Sequence, residues 1–246
     1  MNNFQLGQLL SKKECDDILL KIYQLKNFWI QRSKTVPFYT LGLAAYLDKN
    51  ENYCNPEKRN LYNKLLLNNF SNLINKVKIC LASCLTSEVD IYINGAVPGF
   101  HIYLSHPNLK SSSIVHQQTP HMDTQFRYVF PEKGYKQKDF ISFTLCLSCD
   151  NDSGLNIWKP DMELPDNVLD LLTDSSTISY SENNPLSKYT AQSIFQKPTF
   201  IKYNPGSIFI HNGVFYHYPI LNAQKIPRIT LQGHGIKKDG KFLIFW

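Results

Sequence analysis

Three side chains in this sequence have the types and spacing to hold a cation. His121 and Asp123 stand two positions apart after an extended segment, and His217 opens a later strand. On a strand, residues i and i+2 point the same way, so this imidazole and carboxylate can reach one ion from a single stretch of backbone. Two imidazoles and a carboxylate cap one face of an octahedron and leave three positions open, room for a bidentate 2-oxoacid and dioxygen. A His-x-Asp pair alone is a weak signal, since many chains carry one by chance.

The neighbouring residues give the pair company. Arg228 follows His217 by eleven positions and shares a strand face with Thr230. A guanidinium is a planar fork that matches a carboxylate, so a buried Arg228 would hold the distal carboxylate of 2-oxoglutarate, with the Thr230 hydroxyl assisting. Thr144, in an apolar strand, can bond the same carboxylate or serve as β-branched filler. His101 and Tyr103 share a face of the strand before the ligand segment, and read either as cosubstrate and substrate contacts or as a hydrogen-bonded core pair. Gln125 and Arg127 continue the strand parity of Asp123, and Trp158 follows a turn where it can wall a pocket. For these three, ordinary packing or a solvated surface competes with a substrate-binding role. Two further histidines compete as ligands: His116 lies five residues before His121, and His211 six before His217. His106, beside Pro107, and His234, between glycines, read as structural or rim residues.

These side chains need a frame. Ser11 to Glu14 is a capping box that starts an amphipathic helix running to about Leu25. Phe38 to Tyr46 is loop-like or extended. A long helix covers roughly Pro56 to Leu85, with Leu66, Phe70, Leu73, Ile74, Val77 and Leu81 at three-four spacing. From residue 88 the pattern turns to strands: Val89–Ile93 and Phe100–Leu104 around a Gly/Pro turn, then Phe140–Ser148, Thr199–Tyr203, Ser207–His211, Arg228–Gln232 and Lys241–Trp246. A polar insert at about 159–196, with a short helix at 166–172, is either a lid or a surface excursion. Helices followed by about eight strands predict a mainly β single domain, 1–246, with a jelly-roll (cupin-like) core at 88–246 and a helical support region at 1–87.

Here a family resemblance enters. His121-x-Asp123, the later His217 and Arg228 after it resemble the iron(II)/2-oxoglutarate dioxygenase superfamily. Pro205-Gly206, eleven residues before His217, looks like that family's strand-turn-strand entry. Phe143–Leu147 followed by Ser153-Gly154-Leu155 is similar to its strand and Gly-Gly turn, except that Leu155 replaces the second glycine. The resemblance spans roughly residues 96–236. It implies a double-stranded β-helix and iron(II) chelated by 2-oxoglutarate. It also implies consumption of O2 with release of succinate and CO2, with ascorbate supportive. An amino acid, a peptide or another small metabolite would be hydroxylated, as in biosynthesis. Desaturation, epoxidation and cyclisation share the hydrogen-abstraction step. Halogenases of this kind lack the carboxylate that Asp123 supplies, so halogenation is disfavoured. Two other readings stand beside this one: a catalytically silent jelly-roll sensor that binds a metabolite, and a cupin-like metal enzyme without an oxoacid. Arg228 with Thr230 argues against the latter.

The bulk numbers fit a globular chain. It has 246 residues, 43% of them hydrophobic and 13% aromatic, enough for a sheet-based core. The net charge of +6 comes without a basic, aromatic-laced stripe, so nucleic acid is not expected as the partner. No leader or apolar span is evident, so no membrane contact and a cytoplasmic location are expected. Six cysteines are too scattered for a secreted scaffold; Cys146 and Cys149 form a lone CxxC, read as buried thiols.

Overall fold

The computed structural model describes residues 4–48, 53, 55–109, 120–130, 132, 134–159 and 197–246. His116, Cys54, the expected helix at 166–172 and the insert from 160 to 196 lie outside these residues. In chain order the elements are β1 (Phe4–Gln8), α1 (Lys12–Gln24), β2 (Ile30–Gln31), β3 (Phe38–Leu41), α2 (Pro56–Leu85), β4 (Val89–Ile91), β5 (Gly99–Tyr103), α3 (Phe126–Val129) and β6 (Phe140–Ser148). They continue with β7 (Gly154–Ile157), β8 (Thr199–Lys202), β9 (Ser207–His211), β10 (His217–Ile220), β11 (Arg228–Lys238) and β12 (Lys241–Phe245).

The two long helices start where their caps require. Ser11 Oγ accepts from the Glu14 backbone N–H, and the Glu14 carboxylate accepts from the Ser11 backbone N–H. Asn55 Oδ1 caps α2 by accepting from the N–H groups of Glu57 and Lys58, with Pro56 at the first turn. α2 kinks at Phe70 (φ −130°) and ends at Thr86 in the left-handed region. Its buried stripe, Leu66 to Leu81, packs with Cys15 and Ile22 of α1 on one face of a large sheet.

That sheet runs β1-β9-β6-β11-β5-β3-β2, with β12 beside the second half of β11 and β4 parallel to β12. A small sheet, β10-β7-β8, completes the β core. Strand alternation divides the chemistry. Phe100, Ile102, Phe143, Leu145, Ile208, Ile210, Ile229 and Leu231 point to the helices. Their neighbours His101, Tyr103, Ser142, Thr144, His211, Arg228, Gln232 and His234 point into a cavity on the other face.

The structure corrects several expectations. Residues 1–87 are not only helical, because β1, β2 and β3 extend the main sheet at both edges. The strands expected around the Gly/Pro turn form at Val89–Ile91 and Gly99–Tyr103, shorter or shifted by a residue or two, and each pairs elsewhere: β4 with β12, and β5 between β11 and β3. The strand beginning at Arg228 continues to Lys238, beyond the expected end at Gln232. Gly233 interrupts the apolar pattern there for a steric reason: a Cβ would lie 2.5 Å from Phe143 Cζ. Gly99 is under a similar constraint, since its Cβ would lie 2.1 Å from the fully buried Trp246 ring and 2.8 Å from the Leu41 carbonyl. Gly99→Ala should therefore destabilise the protein by about 3 kcal/mol through overpacking, read as a lower urea midpoint at unchanged slope.

Candidate metal centre

His121, Asp123 and His217 meet because two backbone segments are laced together. His121 and His217 form an isolated antiparallel bridge, each N–H donating to the other's carbonyl at 2.9 Å. Two residues on, the Asp123 N–H donates to the Gly213 carbonyl at 2.8 Å. One ligand atom from each of the three side chains lies within 4.8 Å of the others, the only such His/Cys/Asp/Glu group among the described residues. His217 and Asp123 are buried, while His121 is exposed at the mouth.

The surroundings set orientation and charge. His217 Nδ1 donates to the Phe215 carbonyl at 2.8 Å, which turns Nε2 toward Asp123 Oδ2, 3.5 Å away. Burial pushes the Asp123 carboxyl up, but His217, His234 and His121 outweigh it and hold the group well below the usual carboxylate range. Burial alone would lower the His217 imidazole, and the facing Asp123 reverses this and raises it. A carboxylate stabilised as an anion beside two convergent imidazoles is a donor set for a divalent first-row metal.

A cavity of about 290 Å³ opens from this cluster between the two sheets. Arg228 lies in its wall, only 1% exposed, between the rings of Tyr203 (5.5 Å) and Tyr103 (6.0 Å). Among the described residues its Nε and Nη2 are buried without a hydrogen-bond partner. A guanidinium in that state is costly unless an anion completes it. Thr144 and Tyr103 line the same cavity. Thr230 is fully buried on the Arg228 face, where its hydroxyl accepts from Gln232 Nε2 at 3.4 Å, and it is not among the described lining residues. His101 lines the cavity with Nε2 2.6 Å from the Tyr46 hydroxyl. Burial, then Arg228, holds its imidazole well below the ordinary value, hence neutral. Tyr46 is set by the turn at 42–48, which Asp48 ties by accepting from the Ala44 N–H at 2.9 Å and from both Arg32 terminal nitrogens.

Gln125 belongs to the site for a reason other than strand parity. The chain turns helical after Asp123, so Gln125 becomes the cap of α3, and its Nε2 donates to Asp123 Oδ1 at 3.1 Å. The same turn takes Arg127 off the expected face; its Nη2 donates to the Tyr128 hydroxyl at 2.9 Å, and it is not among the described lining residues. Trp158 is also absent from that wall. It packs in a cluster with Phe126, Phe130 and Phe140, its backbone N–H bound to the Tyr216 carbonyl at 2.8 Å.

His211 is buried beside His217, its ring 4.7 Å away, but its Nδ1 bonds the Asn212 carbonyl and it stands outside the ligand group. His106 accepts from the Asn108 N–H in a surface turn. His234 is not a rim residue: it is buried at the base of the site with Ser142. Ser142, a hydroxyl inside an otherwise apolar run, was the available signal for both. Phe38, Tyr46 and Tyr203 also line the cavity and carry no sequence signal of their own. Cys146 and Cys149 are buried free thiols packed with Tyr203 and Phe209.

The fold and site together define a jelly-roll protein with a two-histidine, one-carboxylate centre, as the resemblance implied for the fold. No protein-family model matches the chain, and no curated protein does. Solved structures do. The chain is similar to the non-haem α-ketoglutarate-dependent epimerase SnoN from nogalamycin biosynthesis, at 10% identity over 96% of this chain and 79% of that one, with a TM-score of 0.53. It is similar to an N-substituted L-amino acid dioxygenase from Burkholderia ambifaria, solved with α-ketoglutarate, at 11% identity over 99% and 86%, with a TM-score of 0.51. AviO1 from Streptomyces viridochromogenes matches at 13% identity over 97% and 91%, with a TM-score of 0.50. At these identities the likeness establishes the fold. Among the described residues no helix is long and apolar enough to cross a membrane.

Proposed function

We propose that the protein is an iron(II)- and 2-oxoglutarate-dependent oxygenase that oxidises a small molecule, an amino acid or a peptide, with hydroxylation as the default outcome. The observation that carries this reading is Arg228: a guanidinium buried in the wall of the metal-site cavity, with two of its nitrogens unpartnered among the described residues. His121, Asp123 and His217 would hold the iron, and Arg228 would hold the distal carboxylate of 2-oxoglutarate. When bound, iron and 2-oxoglutarate would supply a strong oxidant from O2, with succinate and CO2 released.

The chain's own residues do the rest. Arg228 binds and orients a dicarboxylate, flanked by Tyr103 and Tyr203, whose hydroxyls burial pushes up to about 12, so both stay neutral donors. Thr144 adds a hydroxyl beside them. The neutral His101–Tyr46 pair, with Phe38, Val36 and Leu109, offers a mostly aromatic and apolar wall with few charges, suited to a substrate held by shape and hydrogen bonds. SnoN and the Burkholderia enzyme, both named for small-molecule chemistry with α-ketoglutarate, support the same assignment.

The test is direct. Anaerobic iron(II) plus 2-oxoglutarate should produce a visible metal-to-ligand absorption band, and exposure to O2 should then yield succinate. A protein that binds iron but gives no band and no succinate with 2-oxoglutarate is not this enzyme.

A further inference from the structure

Asp123 is gripped at both oxygens by groups from different elements. Gln125 Nε2, at the head of α3, donates to Oδ1 at 3.1 Å. Ser142 Oγ, on β6, donates to Oδ2 at 2.5 Å. His234 Nδ1, on β11, lies 3.0 Å from the same Ser142 oxygen. A serine hydroxyl has one proton, and a carboxylate can only accept. The Ser142 proton is therefore committed to Asp123, and the contact with His234 must run the other way, from Nδ1–H into the serine oxygen. This fixes the tautomer of His234, with Nδ1 protonated and Nε2 bare. It also makes a directed chain from His234 through Ser142 to Asp123.

The chain is built into the sheet. Ser142 and His234 stand opposite each other in the β6–β11 register, between the apolar neighbours Ile141 and Phe143 on one strand and two glycines on the other. Both are buried. Neither belongs to the group able to hold an ion. A hydroxyl and an imidazole buried there cost free energy unless their bonds are made. The bonds they make converge on one carboxylate oxygen.

We propose that Ser142 and His234 are positioning residues that, opposite Gln125, lock the plane of the Asp123 carboxylate for metal binding. The inference rests on the proposed reading of His121, Asp123 and His217 as a metal centre. Rotation of the carboxylate about its Cβ–Cγ bond breaks the bonds at Oδ1 and Oδ2 together, so the network holds one orientation before any ion arrives. Outer groups of this kind are worth about 10–100-fold in metal affinity.

Cobalt(II) alone, titrated into the full chain and followed by its visible spectrum, tests this. Ser142→Ala removes one oxygen atom and the relay. His234→Leu removes the donor at similar bulk, whereas His234→Asn keeps an N–H near the place of Nδ1. Ser142→Ala and His234→Leu should weaken cobalt by about 10–100-fold and alter the spectrum; His234→Asn should restore most of the affinity. Melting of the metal-free proteins, run in parallel, separates this from unfolding, and Ser142→Ala carries the test if His234→Leu does not fold. Wild-type affinity and spectrum in folded Ser142→Ala overturn the proposal, as does a His234→Asn no better than His234→Leu. Failure of the wild type to bind cobalt at all removes the metal centre itself, a distinct result from loss of the positioning role alone.

Discussion

An Arg228→Met variant is expected to lose 2-oxoglutarate while gaining, or at least keeping, stability without it. Two effects of opposite sign meet at this side chain. In the presence of cosubstrate, the guanidinium and a carboxylate form a buried, charge-assisted pair. Removing one partner of such a pair costs about 3–5 kcal/mol, which is about 100-fold or more in dissociation constant. In its absence, Arg228 is a buried cation whose Nε and Nη2 find no hydrogen-bond partner among the described residues and which lies against the rings of Tyr103 and Tyr203. Methionine fills a similar volume without that penalty, and exchanges of this kind are neutral or stabilising by about 1–4 kcal/mol. The measurement is a pair of curves: 2-oxoglutarate titrated into iron-loaded protein, and thermal melts of protein free of both. Arg228→Lys should fall between, keeping the charge and losing the fork. Unchanged 2-oxoglutarate affinity in Arg228→Met would remove the main support for the cosubstrate assignment.

The second large effect concerns which distal histidine is the ligand. His217→Ala should reduce iron(II) or cobalt(II) affinity by more than the roughly 100-fold ceiling seen for outer groups, and turnover with it. His211→Gln should still bind one metal ion. The two rings are neighbours at 4.7 Å and both are buried, so exposure does not separate them. Orientation does. The Nδ1 of His217 is spent on the Phe215 carbonyl and its Nε2 faces Asp123, whereas His211 Nδ1 bonds Asn212 and its ring stacks on Phe209. Burial also drives the His211 imidazole down to about 3, with His217 beside it, so it is a neutral packing group at any working pH. Metal content after gel filtration would settle the comparison; a metal-free His211→Gln beside a loaded His217→Ala would reverse it.

The frame and the centre were legible in the sequence for local reasons. Capping chemistry and three-four spacing announce α1 and α2, and two-residue parity brings His121 and Asp123 to one side. The misses have local causes too. Phe126, Tyr128 and Phe130 alternate like a strand, yet the chain coils there, the Phe130 N–H closing on the Phe126 carbonyl at 2.6 Å, and this moved Gln125 and Arg127 from their expected places. Strand β1 carries Leu6 half exposed and so has no burial pattern to read; its place depends on β9, some two hundred residues away. The parallel pairing of β4 with β12 is likewise non-local. His234 hid between two glycines that admit the Phe143 and Ile141 side chains, so the glycines that suggested a structural or rim position are a packing requirement of a central strand.

The bridge between residues 121 and 217 carries one more implication. An ion seated there would be a clasp across ninety-six positions of polypeptide, its bonds running alongside the two backbone hydrogen bonds that already join the same two residues. Closing so long a loop is entropically expensive, and an ion that binds only the closed seam offsets that expense through its own binding free energy. The seam is already zipped without an ion, so a captured cation would add to its stability rather than create it, and the supply of metal would set how firmly the two segments stay joined.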